Sequence, residues 1–505
     1  MLQRLRYRPR NPHPFDLDAP LLTLSAHAED ALWLRDACAG VHAFGATGSG
    51  KTSSINRTLT TAYLAAGYGA LITTTKPGDR DEYLAFIRDA GRLDDVIIFG
   101  ADQGYAFNFL QYEAERPGRG AGLTENLVRL FLTVLEVGDD PGNASGSGGR
   151  ANDRFWQDAM RQLLRNAIDL LRFAGVALSL TAIQDVLNSA PVDAAQAQSD
   201  SWRAGSYCWW CLQQADQRKI PPDQRHDLKA TARFWLHEFP CQDPKTRANV
   251  LQTFGVTADA LGRGLFRRLF CEGLNVVPEM CAHGKILLLD LPVKEYGAVA
   301  RQAQCVLKYC FQQAMERRDV AANPRPVALI IDEADLFLTR EDISFLQTAR
   351  SSRVCTLFLT QSLSGYLHRF GGQAGHHATH ALLTNFTTKI FAANCDIETY
   401  RYMEELFGKR LTYRANSNVS TPKPEASSPA RFGLGSGSSG AGGPQVSAGV
   451  NPLFEPVEQG SRLNQLRTGG VANDRRCDTF CFSMGRTWAH TGTPVLPVSF
   501  TQAPQ

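Results

Sequence analysis

Residues 41–52 read VHAFGATGSGKT: a short apolar run, then Gly45, Ala46, Thr47, Gly48, Ser49, Gly50, Lys51 and Thr52, with Ser53 next. This is the spacing of a phosphate-cradling loop set between a strand and a helix. The glycines at 45, 48 and 50 permit backbone shapes in which successive amides point inward, at the positive end of the helix that follows. Lys51 then reaches the β- and γ-phosphates of a nucleoside triphosphate, and the Thr52 hydroxyl is placed for magnesium. The bland alternative is a glycine turn with no ligand, and the apolar strand before and helix after it argue against that.

Outward from this loop, short β-rich runs alternate with helical stretches, the rhythm of an α/β domain with a parallel sheet. A helix over Lys51–Ala66, a strand at ALITTTK, a helix over Asp79–Ala90 and a strand at DVIIFG follow the loop. The rhythm stops at GDDPGNASGSGGRAND (138–153), a glycine- and serine-rich surface loop. Between 154 and 257 the spacing is helical, which predicts an all-α insertion. Strands return at KILLLDLP (285–292), PVALIID (326–332), VCTLFLT (354–360) and TTKIFAAN (387–394). The division expected is a basic arm (1–20), a first nucleotide-binding part (21–137), the loop, the insertion, and a second part (258–415). A Ser/Pro/Gly/Ala-rich linker (416–450) and a tail (451–505) complete it. The linker has too few large apolar side chains to offset its ordering entropy, and CDTFCFSMGRTWAHTG (477–492) in the tail suits a β-hairpin packing back on the core.

The 505 residues, 43% apolar and 20% charged, can bury sizeable cores. A net charge of +3 is small for this length, so a nucleic-acid surface would have to come from local clustering. The twelve cysteines fall in strand-like and helical segments with no secretory signal before them, which points to reduced, mostly buried thiols and a cytoplasmic chain. No apolar run is long enough to span a bilayer. The arm MLQRLRYRPRNPHPF, with four arginines, is an exposed segment open to peripheral contact with an anionic membrane or nucleic acid.

A triphosphate site of this class needs a strand-end carboxylate for the metal, and PVALIIDEADLF (326–337) supplies Asp332, with Glu333 beside it as the base for an attacking water. Two acids ending an apolar strand are costly unless they face a site. Gln361, after the next strand, is a candidate sensor of the γ-phosphate, with a strand-end amide capping the following loop as the alternative. In TARSSR (348–353), Arg350 and Arg353 are candidates for an arginine finger toward a neighbouring subunit, with surface ion pairs as the alternative. Cys208-Trp-Trp-Cys211 lacks a second pair of ligands for zinc, so Trp209 and Trp210 read as packing residues. His376 and His377 read as solvent-facing loop residues.

Taken in order, GATGSGKT, TKPGDRDEYLAFIRDAGRLDDVIIFG with FNFL (107–110), FWQDAMRQLL, LLLDLPV, ALIIDEAD, TARSSR and LFLTQSLSGYLHRFG resemble the TraG/TraD-like coupling ATPases of conjugation and type IV secretion. LLTNFTTKIFAANCDIETYRYMEELFGKR (382–410) resembles that family's TraM-recognition region. The resemblance covers most of residues 40–410. It implies a RecA-like motor domain with an inserted all-α domain, a homo-hexameric ring that hydrolyses ATP with Mg2+, and delivery of single-stranded DNA and attached protein to a secretion channel. Relaxase or channel proteins are the implied partners. By position, Lys51, Thr52, Asp332, Glu333 and Gln361 would be its nucleotide and catalytic residues. Typical relatives carry two membrane-spanning helices before the motor, and the stretch ahead of Gly45 is too short for them, so a variant docking peripherally on membrane partners is expected. Two other readings compete: a HerA/FtsK-like translocase on duplex DNA, and a protein-cargo adaptor that uses nucleotide only as a switch.

Overall fold

In the computed structural model, residues 15–138, 150–420 and 445–502 are described. Most of the expected arm (1–14), glycine-rich loop (139–149) and linker (421–444) lies outside the described residues.

The strands are β1 (Pro20–Thr23), β2 (Ala31–Trp33), β3 (Val41–Phe44), β4 (Gly69–Ile72), β5 (Val96–Gly100), β6 (Ile286–Asp290) and β7 (Val327–Ile331). After them come β8 (Val354–Thr360), β9 (Thr388–Phe391), β10 (Lys409–Ser420), β11 (Gln445–Pro456), β12 (Arg476–Ser483) and β13 (Val495–Thr501). Nine of them form one sheet in the order β13-β12-β9-β3-β8-β7-β4-β6-β5. From β9 to β5 every pairing is parallel; β12 and β13 extend the edge antiparallel.

A parallel sheet of this kind is covered on both faces, so its strands are apolar throughout and alternate which face they feed. Phe44, Leu71, Leu287, Leu329 and Phe358 pack on one side, with Val306 and Phe311 of the helix Val293–Arg317. Ala43, Ala70, Leu288, Ile330 and Leu357 pack on the other, under Ile55, Leu59 and Tyr63 of the helix that follows the loop. Between β5 and β6 no strand occurs among the described residues. Helices fill the gap and overrun the expected insertion, with Phe109–Glu115 and Thr124–Gly138 ahead of it and Gly264–Phe270 after it. Its long helix, Arg150–Ala174, buries Leu163, Leu164, Ala167, Ile168 and Leu171 on one stripe.

Four expectations are corrected. Gly138 and residues 150–153 are the ends of helices and not loop. The outer parts of the 416–450 stretch are strand: β10 and β11 pair antiparallel from Lys409↔Pro456 to Ser420↔Gln445, because cross-strand hydrogen bonds satisfy a polar backbone without needing apolar side chains. The arm's end is not wholly free, since Phe15 is half-buried, 6.3 Å from the Tyr68 ring and beneath the Arg325 guanidinium, while Leu17 and Asp18 stay exposed. His376 and His377 are exposed but sit in the helix Gly372–Thr384, where Gly375, Thr379, Leu382 and Leu383 keep a helical stripe buried. Among the described residues no helix is long and apolar enough to cross a membrane, and all twelve cysteines are free.

Lys389 of β9 stands opposite His42 of β3, both buried, with the ammonium donating to the Phe386 carbonyl at 2.5 Å. Burial pushes the Lys389 amine down to about 8, below the roughly 10.4 of an unfolded chain. The unfolded state therefore binds more protons between these values, and this lysine's cost to folding, full below pH 8, is relieved as pH rises toward 10. Lys389→Met is expected to be more stable than the parent at pH 7, with the difference narrowing by pH 10 in urea unfolding. A difference constant across that range would exclude the ionisation argument.

Candidate functional site

At the carboxyl end of β3 the chain turns through Gly48 and Gly50, both left-handed with φ of 79° and 78°, into a wide first helical turn over Lys51–Asn56. Only glycine takes these values without strain. The Gly45 amide donates to the Thr360 carbonyl (3.1 Å) and the Ala46 amide to the Ala393 carbonyl (2.9 Å), so the ends of β8 and β9 hold the loop's entry. No atom lies within 4 Å of where a Gly48 Cβ would stand, which leaves that side of the loop open.

The strand-end acids meet this loop. Thr52 Oγ1 donates to Asp332 Oδ2 at 2.6 Å. Lys51, 5% exposed, places its Nζ 3.8 Å from Asp332 Oδ1 and 3.9 Å from Glu333 Oε2. Glu333 adopts the left-handed conformation (φ 51°, ψ 52°), unusual for a residue with a side chain. Gln361 Nε2 donates to both Glu333 oxygens at 3.1 Å, while its Oε1 accepts from Thr47 Oγ1 at 3.1 Å. One amide thus bridges the loop and the acid. Lys51, Thr52, Asp332, Glu333 and Gln361, from three segments of the chain, converge at the carboxyl ends of the central strands β3, β7 and β8.

Arg350 and Arg353 are placed elsewhere. They precede β8, whose seven residues run from them to Thr360 at the loop; at about 3.3 Å per residue that separates them from the cluster by about 20 Å. Arg350 is exposed, and Arg353 donates to the carbonyls of Phe15 (2.7 Å) and Pro324 (3.0 Å). Cys208 and Cys211 are buried in the helix Tyr207–Gln217, where burial pushes both thiols up, Cys211 to about 11. Trp209 is half-buried, and Trp210 is exposed and stacked on Tyr207.

Three contributors escaped the reading of the sequence. Lys76 brings its Nζ within 3.7 Å of Glu333 Oε1; its place just after β4, at the same carboxyl end of the strands, was the available signal. Asn394 donates to the Gln361 carbonyl at 2.8 Å. The tail reaches the loop as well, with Gln502 Nε2 donating to Ser53 Oγ at 2.7 Å, and no local pattern points to that contact. Around Asp332 lie Asp79 and Glu82, whose carboxyls are pushed up chiefly by burial, with the charge of Asp332 adding to it. The Thr52 hydroxyl and Asp332 carboxylate, hard oxygen donors side by side among further acids, fit a magnesium ion that takes its remaining ligands from water and phosphate.

Loop, strand order and inserted helices define a RecA-like P-loop NTPase fold. Residues 326–441 match the family model described as the TraM recognition site of TraD and TraG. The structure is similar to the bacterial conjugative coupling protein TrwBdeltaN70 in its unbound form, with TM-score 0.59, 14% identity, and coverage of 96% of this chain and 90% of that one. It is similar also to plasmid coupling protein TrwB in complex with ADP and Mg2+ (TM-score 0.60, 14% identity, 96% and 90%) and with the ATP analogue ADPNP (TM-score 0.59, 14%, 96% and 90%). No curated protein matches the chain in sequence. The chain thus resembles the TraG/TraD-like coupling ATPases in motif order, in the matched region and in fold.

Proposed function

We propose that this chain is an ATP-hydrolysing motor of the coupling-protein type, acting as a homo-hexameric ring that delivers DNA, single-stranded with attached protein, during conjugative transfer. The observation that carries the hydrolytic part is the Thr47–Gln361–Glu333 chain of hydrogen bonds beside Lys51 and Asp332. A pure nucleotide switch has no use for a base held in this way. In this reading the loop amides and Lys51 hold the phosphates, and Glu333 takes the proton of the attacking water. The magnesium ion held by Thr52 and Asp332 would neutralise charge on the β- and γ-phosphates.

Gln361 is the coupling element. It touches the loop on one side and the base on the other, and Ser362 directly after it caps the helix Leu363–Phe370 through the Gly365 amide. Loss of the γ-phosphate would release Thr47 and Glu333 together and pass a shift to that helix. Arg350 and Arg353, remote from their own loop, would serve only a neighbour's site. Arg350 is the free-standing candidate, since Arg353 already holds two carbonyls.

Lys51→Ala is expected to lower both nucleotide binding and turnover. The wider reading is tested by ATPase assays with single- and double-stranded DNA, alongside electron microscopy with a non-hydrolysable analogue. Stimulation by single strands with rings favours the coupling motor, and stimulation by duplex alone favours a duplex translocase. Turnover indifferent to all DNA, without rings, would overturn both.

A further inference from the structure

The tail closes on the phosphate loop from the side away from Glu333 and Gln361. A Cβ on Gly50 would overlap the Cys477 sulfur and stand 2.9 Å from Gln502 Nε2 and 3.0 Å from the Thr468 carbonyl. Gln502 uses its whole side chain: Nε2 donates to Ser53 Oγ, and Oε1 accepts from the Gly470 amide, both at 2.7 Å. Its own amide donates to the Arg475 carbonyl at 2.8 Å.

The loop it grips is tightly built. Gly469, Gly470, Asp474 and Arg475 all have positive φ, two of them without the freedom of glycine. The Arg475 amide donates to the Gly470 carbonyl (2.7 Å) and Asn473 Nδ2 to the Gly469 carbonyl (2.9 Å). At its crest, next to Gly470, stands Val471, 81% exposed. The loop is cross-braced and holds an aliphatic side chain toward solvent, and through Gln502 it is tied to Ser53 of the phosphate loop.

The order of groups says which part of the ligand that is. The acids and Gln361 mark the γ end; the amides at the start of the helix hold the α- and β-phosphates. Ser53 lies one residue beyond the metal-binding Thr52, on the α side. Whatever continues past the α-phosphate meets the groups that hold Ser53. We propose that the tail segment Thr468–Arg475 with Gln502 forms the wall for the nucleoside half of the triphosphate, Val471 offering its side chain to the base and Gln502 acting as a positioning residue between Ser53 and that wall. This rests on the nucleotide-binding reading above and adds the half of the ligand that the phosphate loop does not touch.

The test is isothermal titration of the full chain with ADP and with inorganic tripolyphosphate, each with magnesium, for the parent, Val471→Glu, Val471→Leu and Gln502→Met. Val471 is exposed, so its variants fold even if Gln502→Met does not. The parent is expected to bind ADP more tightly than tripolyphosphate. Val471→Glu and Gln502→Met should weaken ADP about tenfold or more, and Val471→Glu should leave tripolyphosphate unchanged, while Val471→Leu retains ADP. Equal losses for both ligands, no loss for either, or a parent indifferent to the nucleoside would overturn the inference. A parent that binds neither ligand would defeat the ATPase reading itself, and this one with it.

Discussion

Glu333→Gln is expected to lower steady-state ATP turnover by about 10²–10⁴-fold, the usual contribution of a positioned general base, while the protein still binds ATP. The substitution keeps the shape of the side chain and removes the carboxylate that would accept a proton from water. It also removes a negative charge that faces Lys51 at 3.9 Å and Lys76 at 3.7 Å. Both lysines are then freer to meet phosphate, so binding is expected to hold or tighten. Phosphate release under multiple turnover, set beside filter retention of labelled ATP, reads the two effects separately. Unchanged turnover would remove Glu333 from the chemistry and restore the switch reading. Loss of binding together with turnover would make the residue a support of the loop and not a base.

The second large effect lies away from the chemistry. Lys308, fully buried, gives its ammonium to Asp342 Oδ1 at 2.6 Å and to the Phe337 carbonyl at 2.8 Å. Asp342 also accepts from Gln312 Nε2 (2.7 Å) and from the Thr339 amide (2.7 Å). Lys308→Met leaves that carboxylate buried without its cation and should cost about 3–5 kcal/mol, seen as a drop in the urea midpoint. Adding Asp342→Leu replaces the ion pair with apolar bulk and should recover most of the loss. It should fall short by about 1 kcal/mol, because Asp342 caps the helix Arg340–Ala349 through Thr339. A single variant within about 1 kcal/mol of the parent, below the usual cost of an unpaired buried charge, would mean that water or rearrangement satisfies the acid. The pair also anchors Phe337 and Thr339, just downstream of Glu333, so the single variant is expected to lose turnover with its stability.

The loop, the strand-end acids and Gln361 were legible because each depends on neighbours in sequence. Phosphate-facing amides need glycines at set spacing, and a strand ending in charge has to end at a site. The inserted helices were legible from the spacing of apolar residues on Arg150–Ala174, though their limits were not, since Thr124–Gly138 reads equally well as a helix of an α/β layer. The paired strands at the ends of 416–450 were hidden because backbone pairing leaves no apolar signature in Ser- and Gly-rich sequence.

What the residues determined unaided, then, is the phosphate-loop spacing of Gly45–Thr52, the acids Asp332 and Glu333 that meet it, and the parallel sheet that carries them, because each is written in local spacing. Tertiary structure alone decided that Arg350 and Arg353 stand at the far, amino end of the strands, since strand direction sets which end of β8 meets the loop. It alone brought Lys76 to Glu333, Lys308 to Asp342, and Gln502 to Ser53 across 449 positions. Such contacts depend on which strands become neighbours in the sheet, and that order is settled by packing across the whole domain rather than by any window of the chain.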